Sequence, residues 1–248
     1  MKETYVRVST LRAWMLVAAL AVHGCATTYT TPGGAVSIPA ITEPEVAEAL
    51  ADEPAATFPV RLIAARVQAP GYWSGTNRGY GRGAYSVVTA RDIEEQEDFA
   101  RLEALPGVSA VGTLNRMLLP PTMTTTKELR TAAARLRGDV LLLYTLDTVF
   151  RTDTQRLGPL QAVALGFFPN KNSVVTSTCS VAILDVRTGF VYGVAEASAT
   201  EEERSNLWNT PAAIESARLL AERRAFVDAL AAVERTWSDI YAQYGGAR

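Results

Sequence analysis

Residues 139–150, Asp-Val-Leu-Leu-Leu-Tyr-Thr-Leu-Asp-Thr-Val-Phe, hold four consecutive apolar positions at 140–143 where a half-exposed strand would alternate. A strand that is apolar on both faces has to be covered on both. The run therefore predicts the middle of a sheet, and it restricts the chain to architectures that lay helices against two faces of that sheet. The neighbouring segments supply such layers. Residues 58–67 read as a first strand, with Arg61 and Arg66 placing it away from the centre. Thr89 is positioned to cap a helix over 90–105, with Glu94, Glu95 and Asp98 near its positive end, Phe99 and Leu102 on an inner face, and Pro106-Gly107 as its stop. A second strand over 108–119 ends at Pro120-Pro121. Thr125 and Glu128 form a capping box for a helix whose Leu129, Ala132, Ala133 and Leu136 share one face, with Gly138 as the residue just past its end.

After the central strand, residues 151–173 are a connection that contains the apolar run 160–168. It reads as a lid or core plug, with an oligomer contact or a membrane-dipping element as alternatives. Residues 174–184 alternate, with Val175, Cys179, Val181 and Ile183 on one side. A turn at Asp185 to Gly189 then leads to a return strand over 190–195. Asp185 is read as holding that turn and Cys179 as a buried, inert thiol. Thr210-Pro211 opens a last helix running to Tyr244, in which Leu219, Phe226, Val233 and Ile240 recur every seven residues beside Leu230 and Trp237. Arg223 breaks this seam, which favours packing across the sheet over a coiled coil with a partner. The expected fold is α/β: a single domain with a mixed sheet of about five strands, helices on both faces and a long C-terminal amphipathic helix.

The N-terminus carries a different signal. Lys2, Arg7 and Arg12 precede an apolar run over 13–22, too short for a bilayer span of roughly 20 residues. Val22-His23-Gly24-Cys25 follows, and in Val22, Gly24 and Cys25 it resembles a bacterial lipobox; His23 departs from the pattern. The resemblance implies cleavage before Cys25, acylation of that cysteine (palmitate among the chains) and, with Ala26 rather than Asp next, sorting to the outer membrane. The expected organisation is a signal peptide over 1–24, a lipidated Cys25 with a flexible tether over 25–57, and a periplasmic α/β domain over 58–248. The tether is poor in aromatics and rich in Thr, Pro, Ala, Gly and Glu. A coil of that length reaches roughly 30 Å. Thr42 and Glu45 make a capping box for a short helix over 43–52 within it.

Removing 24 residues from 248 leaves 224, and the single histidine, His23, goes with them. Without imidazole the mature chain can build neither a Ser-His-Asp nor a Cys-His nucleophile, nor a histidine-ligated metal site. Cys25 and Cys179 are the two cysteines, so acylation of the first leaves no pair for an intrachain disulfide. Loss of Lys2, Glu3, Arg7 and Arg12 takes the formal charge from −2 to −4, with no basic excess of the kind nucleic acid requires. No cofactor, metal or catalytic residue is expected. With 48% apolar residues the chain can bury an ample core.

Residues 71–83 are glycine-rich, with interleaved aromatics and arginines. Gly79, Gly81 and Gly83 do not have nucleotide-fingerprint spacing and no helix follows at once, so a mobile surface loop is the reading. Tyr72, Trp73, Arg78, Tyr80 and Arg82 are the candidate partner-binding residues, because interface energy concentrates in Trp, Tyr and Arg. Folding of these rings back onto the sheet is the alternative.

Gly138 to Leu146, and the Asp185-Val-Arg-Thr-Gly turn between Ile183 and Gly193, resemble the superfamily of curli-secretion lipoproteins and lipoprotein activators of penicillin-binding proteins. Tyr85-Ser86-Val87-Val88 and Leu114-Asn115-Arg116 are similar to the rhombotarget lipoproteins within it. The anchor, the tether and the absence of histidine point to a lipid-anchored, non-enzymatic module that binds an envelope protein partner, and none of the superfamily's partner-binding residues is recognisable here by motif. Two other readings stay open: a subunit of an outer-membrane secretion assembly, and a glycan-active enzyme working with carboxylates from Asp147, Asp185, Glu196 and Glu201.

Overall fold

The computed structural model describes residues 28–30, 52–154, 171–205 and 210–246. Residues 1–24, Cys25, nearly all of the short helix expected over 43–52, and the apolar run 160–168 lie outside them. In chain order the elements are β1 (Thr28–Thr30), β2 (Val60–Gln68), β3 (Arg82–Gly83), β4 (Ser86–Val88), α1 (Gln96–Glu103), β5 (Val108–Thr113), β6 (Thr122–Met123), α2 (Thr126–Arg135), β7 (Val140–Thr154), β8 (Lys171–Asp185), β9 (Val191–Ser205) and α3 (Thr210–Tyr244), with a 3₁₀ turn at Arg116–Leu118. They form one α/β domain.

The centre of the mixed sheet is where the apolar run places it. β7 pairs in parallel with β2 along Val140 to Tyr144 and antiparallel with β8 along its whole length. β9 extends the sheet beyond β8 as a hairpin whose strands are 15 residues each, longer than the alternation alone indicated. On its other edge β2 is shared by parallel β5 at its start and antiparallel β4 at its end. β2 therefore lies beside the central strand and not at the centre, as Arg61 and Arg66 suggested, yet it is paired on both sides: Arg61 is exposed at the strand's start, while Arg66 is only 1% exposed. An arginine can occupy an interior strand when carboxylates meet it there.

Strict alternation along β2 and β7 sorts their side chains onto two cores. Leu62 and Ala64 with Leu142, Tyr144 and Leu146 face α1 and α3, where Phe99, Leu102, Phe226, Leu230, Val233 and Trp237 meet them. Ile63, Ala65 and Val67 with Leu141 and Leu143 face α2, through Leu129, Ala132 and Ala133. Helices thus cover both faces. Against the hairpin, α3 presents Ala217, Ala221, Ala225 and Ala229, all 1% exposed or less. This four-residue stripe of small side chains lets the helix lie close to the strands, alongside the larger seam residues that repeat every seven.

Three boundaries differ from expectation. α1 starts at Gln96 behind a capping box of Glu95 and Asp98, leaving 90–94 as a bent, non-helical approach whose carboxylates serve the interior. The strand expected over 108–119 stops at Thr113, and the chain turns through a 3₁₀ helix in which Asn115 Oδ1 accepts from Met117 N at 3.0 Å. Part of the segment read as a free tether is bound: β1 pairs with Val149 to Arg151 of β7, and the amides of Ala55 and Ala56 donate to Asp185 Oδ2 at 2.7 and 2.8 Å.

α2 has the expected Thr125–Glu128 capping box, but its far end is built differently. Arg137, not Gly138, takes the left-handed conformation (φ 59°). Its amide bonds to Ala134 O at 2.9 Å and that of Gly138 to Ala133 O at 2.9 Å, a Schellman arrangement. Gly138 is needed for space, since a Cβ there would lie 2.4 Å from Ile63 Cγ1. Arg137→Gly should therefore stabilise the domain by about 1 kcal/mol, the cost of holding a side chain in this conformation, read as a higher urea midpoint at unchanged slope.

Candidate functional site

The glycine-rich segment is a laddered structure rather than an open loop. Gly79 N donates to Tyr72 O at 3.0 Å, Ser74 N to Asn77 O at 2.8 Å, and Tyr80 and Val87 exchange two backbone bonds at 2.8 and 2.9 Å. β3 then pairs in parallel with β6. Gly83 makes that approach possible: its φ is +112°, and a Cβ would sit 2.1 Å from Met123 O.

The five candidate residues separate into two groups. Tyr72 is buried, with its hydroxyl accepting from Arg66 at 3.2 Å, and Tyr80 is half-buried against the α2-side core. Folding back onto the domain is correct for these two rings. Trp73, at 59% exposure, Arg78 and Arg82 face solvent. These three, with Tyr80, line a groove of about 830 Å³ that Ala90, Arg116 and Pro121 also line. Arg116 was not among the candidates. It falls within what the sequence presents as a continuous strand, and only the 3₁₀ turn after β5 brings it to the groove.

Beneath the groove lies a buried ionic cluster that sequence reading did not find. Arg66 contacts Asp92 Oδ1 at 2.7 Å, Glu222 Oε2 at 3.2 Å and Glu94 Oε1 at 3.7 Å. Arg218 binds Glu222 and Glu215 and lies 3.5 Å from Asp92. Tyr144 donates to Glu94 Oε1 at 2.8 Å and Thr148 to Glu222 Oε1 at 2.9 Å, so both glutamates are also hydrogen-bonded to β7. Burial alone would lower the Arg66 guanidinium's pKa, but Glu222, Glu94 and Asp92 more than offset that and raise it. Burial would raise Asp92, but Arg66, Thr76, Asn77 and Arg218 together hold it below the ordinary carboxylate value. The cluster also grips the loop: Thr76 donates to Asp92 Oδ2 at 2.6 Å and accepts from Arg218 at 3.0 Å. Trp73, Arg78 and Arg82 are thus displayed from a hairpin fastened to charged groups in the interior.

The four carboxylates considered for glycan chemistry are spread over β7, the end of β8 and β9. Asp185 accepts from the amides of Arg187 and Thr188 at 2.8 and 3.1 Å and from Tyr192 Oη at 2.8 Å, the turn-holding role expected of it. Glu196 accepts from Ser180 at 2.6 Å and Glu201 pairs with Arg224. Asp147 is on β7, separated from β9 by β8. Cys179 is fully buried, and burial pushes its thiol up to about 12, so it is inert as expected.

No protein-family model matches the chain, and no curated protein does. Among solved structures it is similar to a Caulobacter crescentus protein described as a lipoprotein (15% identity over 44% of this chain and 70% of that one, TM-score 0.26). It is also similar to a Xanthomonas campestris protein (11% identity, 83% and 96% coverage, TM-score 0.34). A third similarity is to a Helicobacter pylori homologue of a neuraminyllactose-binding haemagglutinin (8% identity, 75% and 95% coverage, TM-score 0.35). Likenesses at these scores carry no argument about activity.

Proposed function

We propose that the chain is a lipid-anchored cell-envelope protein whose domain is a non-enzymatic module that binds a protein partner through the face carrying Trp73, Arg78 and Arg82. The observation that carries this reading is the exposure of a large aromatic ring and two arginines on a hairpin held rigid by buried ion pairs. Preorganised Trp and Arg side chains lose little freedom on binding, which is how a few residues come to dominate an interface. The scattered carboxylates support a binding role over glycan cleavage.

The anchor rests on the export signal and Cys25. Among the described residues no helix is long and apolar enough to cross a membrane. Only two residues separate Cys25 from β1, and three residue steps reach at most about 10 Å. An acylated Cys25 would thus hold the β1 edge of the sheet near the bilayer, in place of a domain floating on a long tether. Fractionation of a Cys25→Ala variant tests the anchor: the parent should sediment with membranes and the variant should remain soluble. Equal membrane retention would overturn it. Crosslinking from envelope tests the module, with Trp73→Ala expected to lose the partner at an unchanged thermal midpoint.

A further inference from the structure

The sixteen residues lining the groove include Arg78, Arg82 and Arg116 and not one aspartate or glutamate. The whole chain has 26 acidic residues against 24 basic, so a lining of one sign is not what composition alone would give. Among the described residues none of the three guanidiniums pairs with a carboxylate, and Arg116 donates to Thr89 Oγ1 at 3.5 Å. The acids nearest the loop are already engaged. Asp92 is held by Arg66 and Thr76, and Glu215, which crowds Gly75, is held by Arg218. Among the described residues the positive charge of the groove is therefore uncompensated.

We infer that this groove receives an acidic, extended segment of a partner protein, whose carboxylates are taken by Arg78, Arg82 and Arg116 while its chain passes beside Trp73. The inference deepens the partner-binding reading and rests on it. Guanidinium groups match carboxylates with two parallel hydrogen bonds, which gives direction as well as charge. Concavity selects a peptide over a membrane: the arginines line a groove together with the glycine-rich segment, Ala90 and Pro121. A flat bilayer cannot enter such a space, whereas a strand of polypeptide can.

Fluorescence anisotropy with a labelled oligo-glutamate peptide and the full chain in detergent tests this. An oligo-glutamine peptide in the same detergent, and phosphatidylglycerol vesicles carrying the chain after detergent removal, are the comparators. The parent should bind oligo-glutamate, more weakly as salt rises. Arg78→Gln, Arg82→Gln and Arg116→Gln should each weaken binding roughly fivefold, as loss of a charge-assisted hydrogen bond does. The triple variant should bind no better than the parent binds oligo-glutamine. Arg151→Gln, an exposed arginine outside the groove lining, should leave affinity unchanged. All four side chains are exposed, so thermal midpoints should hold and report folding independently. Equal binding by the parent and the triple variant would overturn the inference. So would arginine-dependent sedimentation with vesicles in the absence of peptide binding, which would make the groove a lipid contact. If peptide binding fails while the Trp73-dependent crosslink persists, the partner module stands and only the acidic chemistry is wrong. If the crosslink is lost too, the module itself is wrong.

Discussion

Arg66→Met should lower the stability of the domain by about 3–5 kcal/mol, one of the two largest losses expected from any single substitution. Methionine fills much of the volume, so the cost is electrostatic. Asp92, Glu94 and Glu222 stay buried without the cation that all three share, and breaking a buried ion network from one side leaves uncompensated charge. For a domain of this size the thermal midpoint should fall by roughly 6–20 °C.

The pH dependence distinguishes this cause from lost packing. In the parent, Asp92 has a folded-state pKa below its unfolded value, so its contribution is complete above about pH 4 and is lost as pH falls through the lower folded value. Asp185 and Glu128 are shifted in the same direction: burial would raise each, and hydrogen bonds from backbone amides and neighbouring hydroxyls lower it. Removing Arg66 takes away the largest influence opposing burial at Asp92, so its folded pKa moves upward and its acid-dependent loss shrinks. The deficit of Arg66→Met relative to the parent should narrow between pH 6 and pH 3. A deficit that is constant across that range would show that packing, not charge, was lost.

Trp237→Ala should cost a similar amount, about 3–5 kcal/mol, by a different route. The ring is fully buried between sheet and helices, its centroid 6.0 Å from that of Phe58, and its Nε1 donates to Pro106 O at 2.9 Å. Alanine leaves a cavity and an unpaired carbonyl at the point where the loop after α1 meets α3. Trp237→Phe keeps most of the apolar contact and loses the hydrogen bond, so it should cost about 1–2 kcal/mol. Urea unfolding of the two variants at neutral pH gives the comparison. Equal losses would mean that the cavity contributes little. Unlike Arg66→Met, neither deficit should change with pH, because no titrating group is exposed or buried by the change.

Much of the architecture is a local property of the chain and was legible as one. The both-faces apolar run at 140–143 places β7 at the centre because no other position satisfies such a strand. The Thr125–Glu128 box starts α2, the alternation at 175–183 makes β8 a strand with one buried face, and the Thr210-Pro211 signal begins α3. Each of these follows from spacing within a few residues. What sequence alone misplaced depends on pairing across long separations. Arg66 in an aliphatic run pointed to an off-centre strand, which β2 is, but not to its own burial, which follows because Glu222, 156 positions away, and Asp92 meet it there. The same pairing explains why residues 90–94 are not helical and why Thr76 is anchored. The glycine-rich segment showed its aromatics and arginines plainly, but the local pattern is alike for a ring that packs inward, as Tyr72 does, and one that faces solvent, as Trp73 does. Arg116 joined the groove only through a turn that ended a strand early. Periodicity and capping are written in consecutive residues, so the longer strands and helices and the central place of β7 were readable locally, whereas the short strands β1, β3, β4 and β6 were not. Which charges are buried together and which side chains share the groove were decided only by the tertiary structure, because burial and Coulomb energy depend on distance in space and not on distance along the chain.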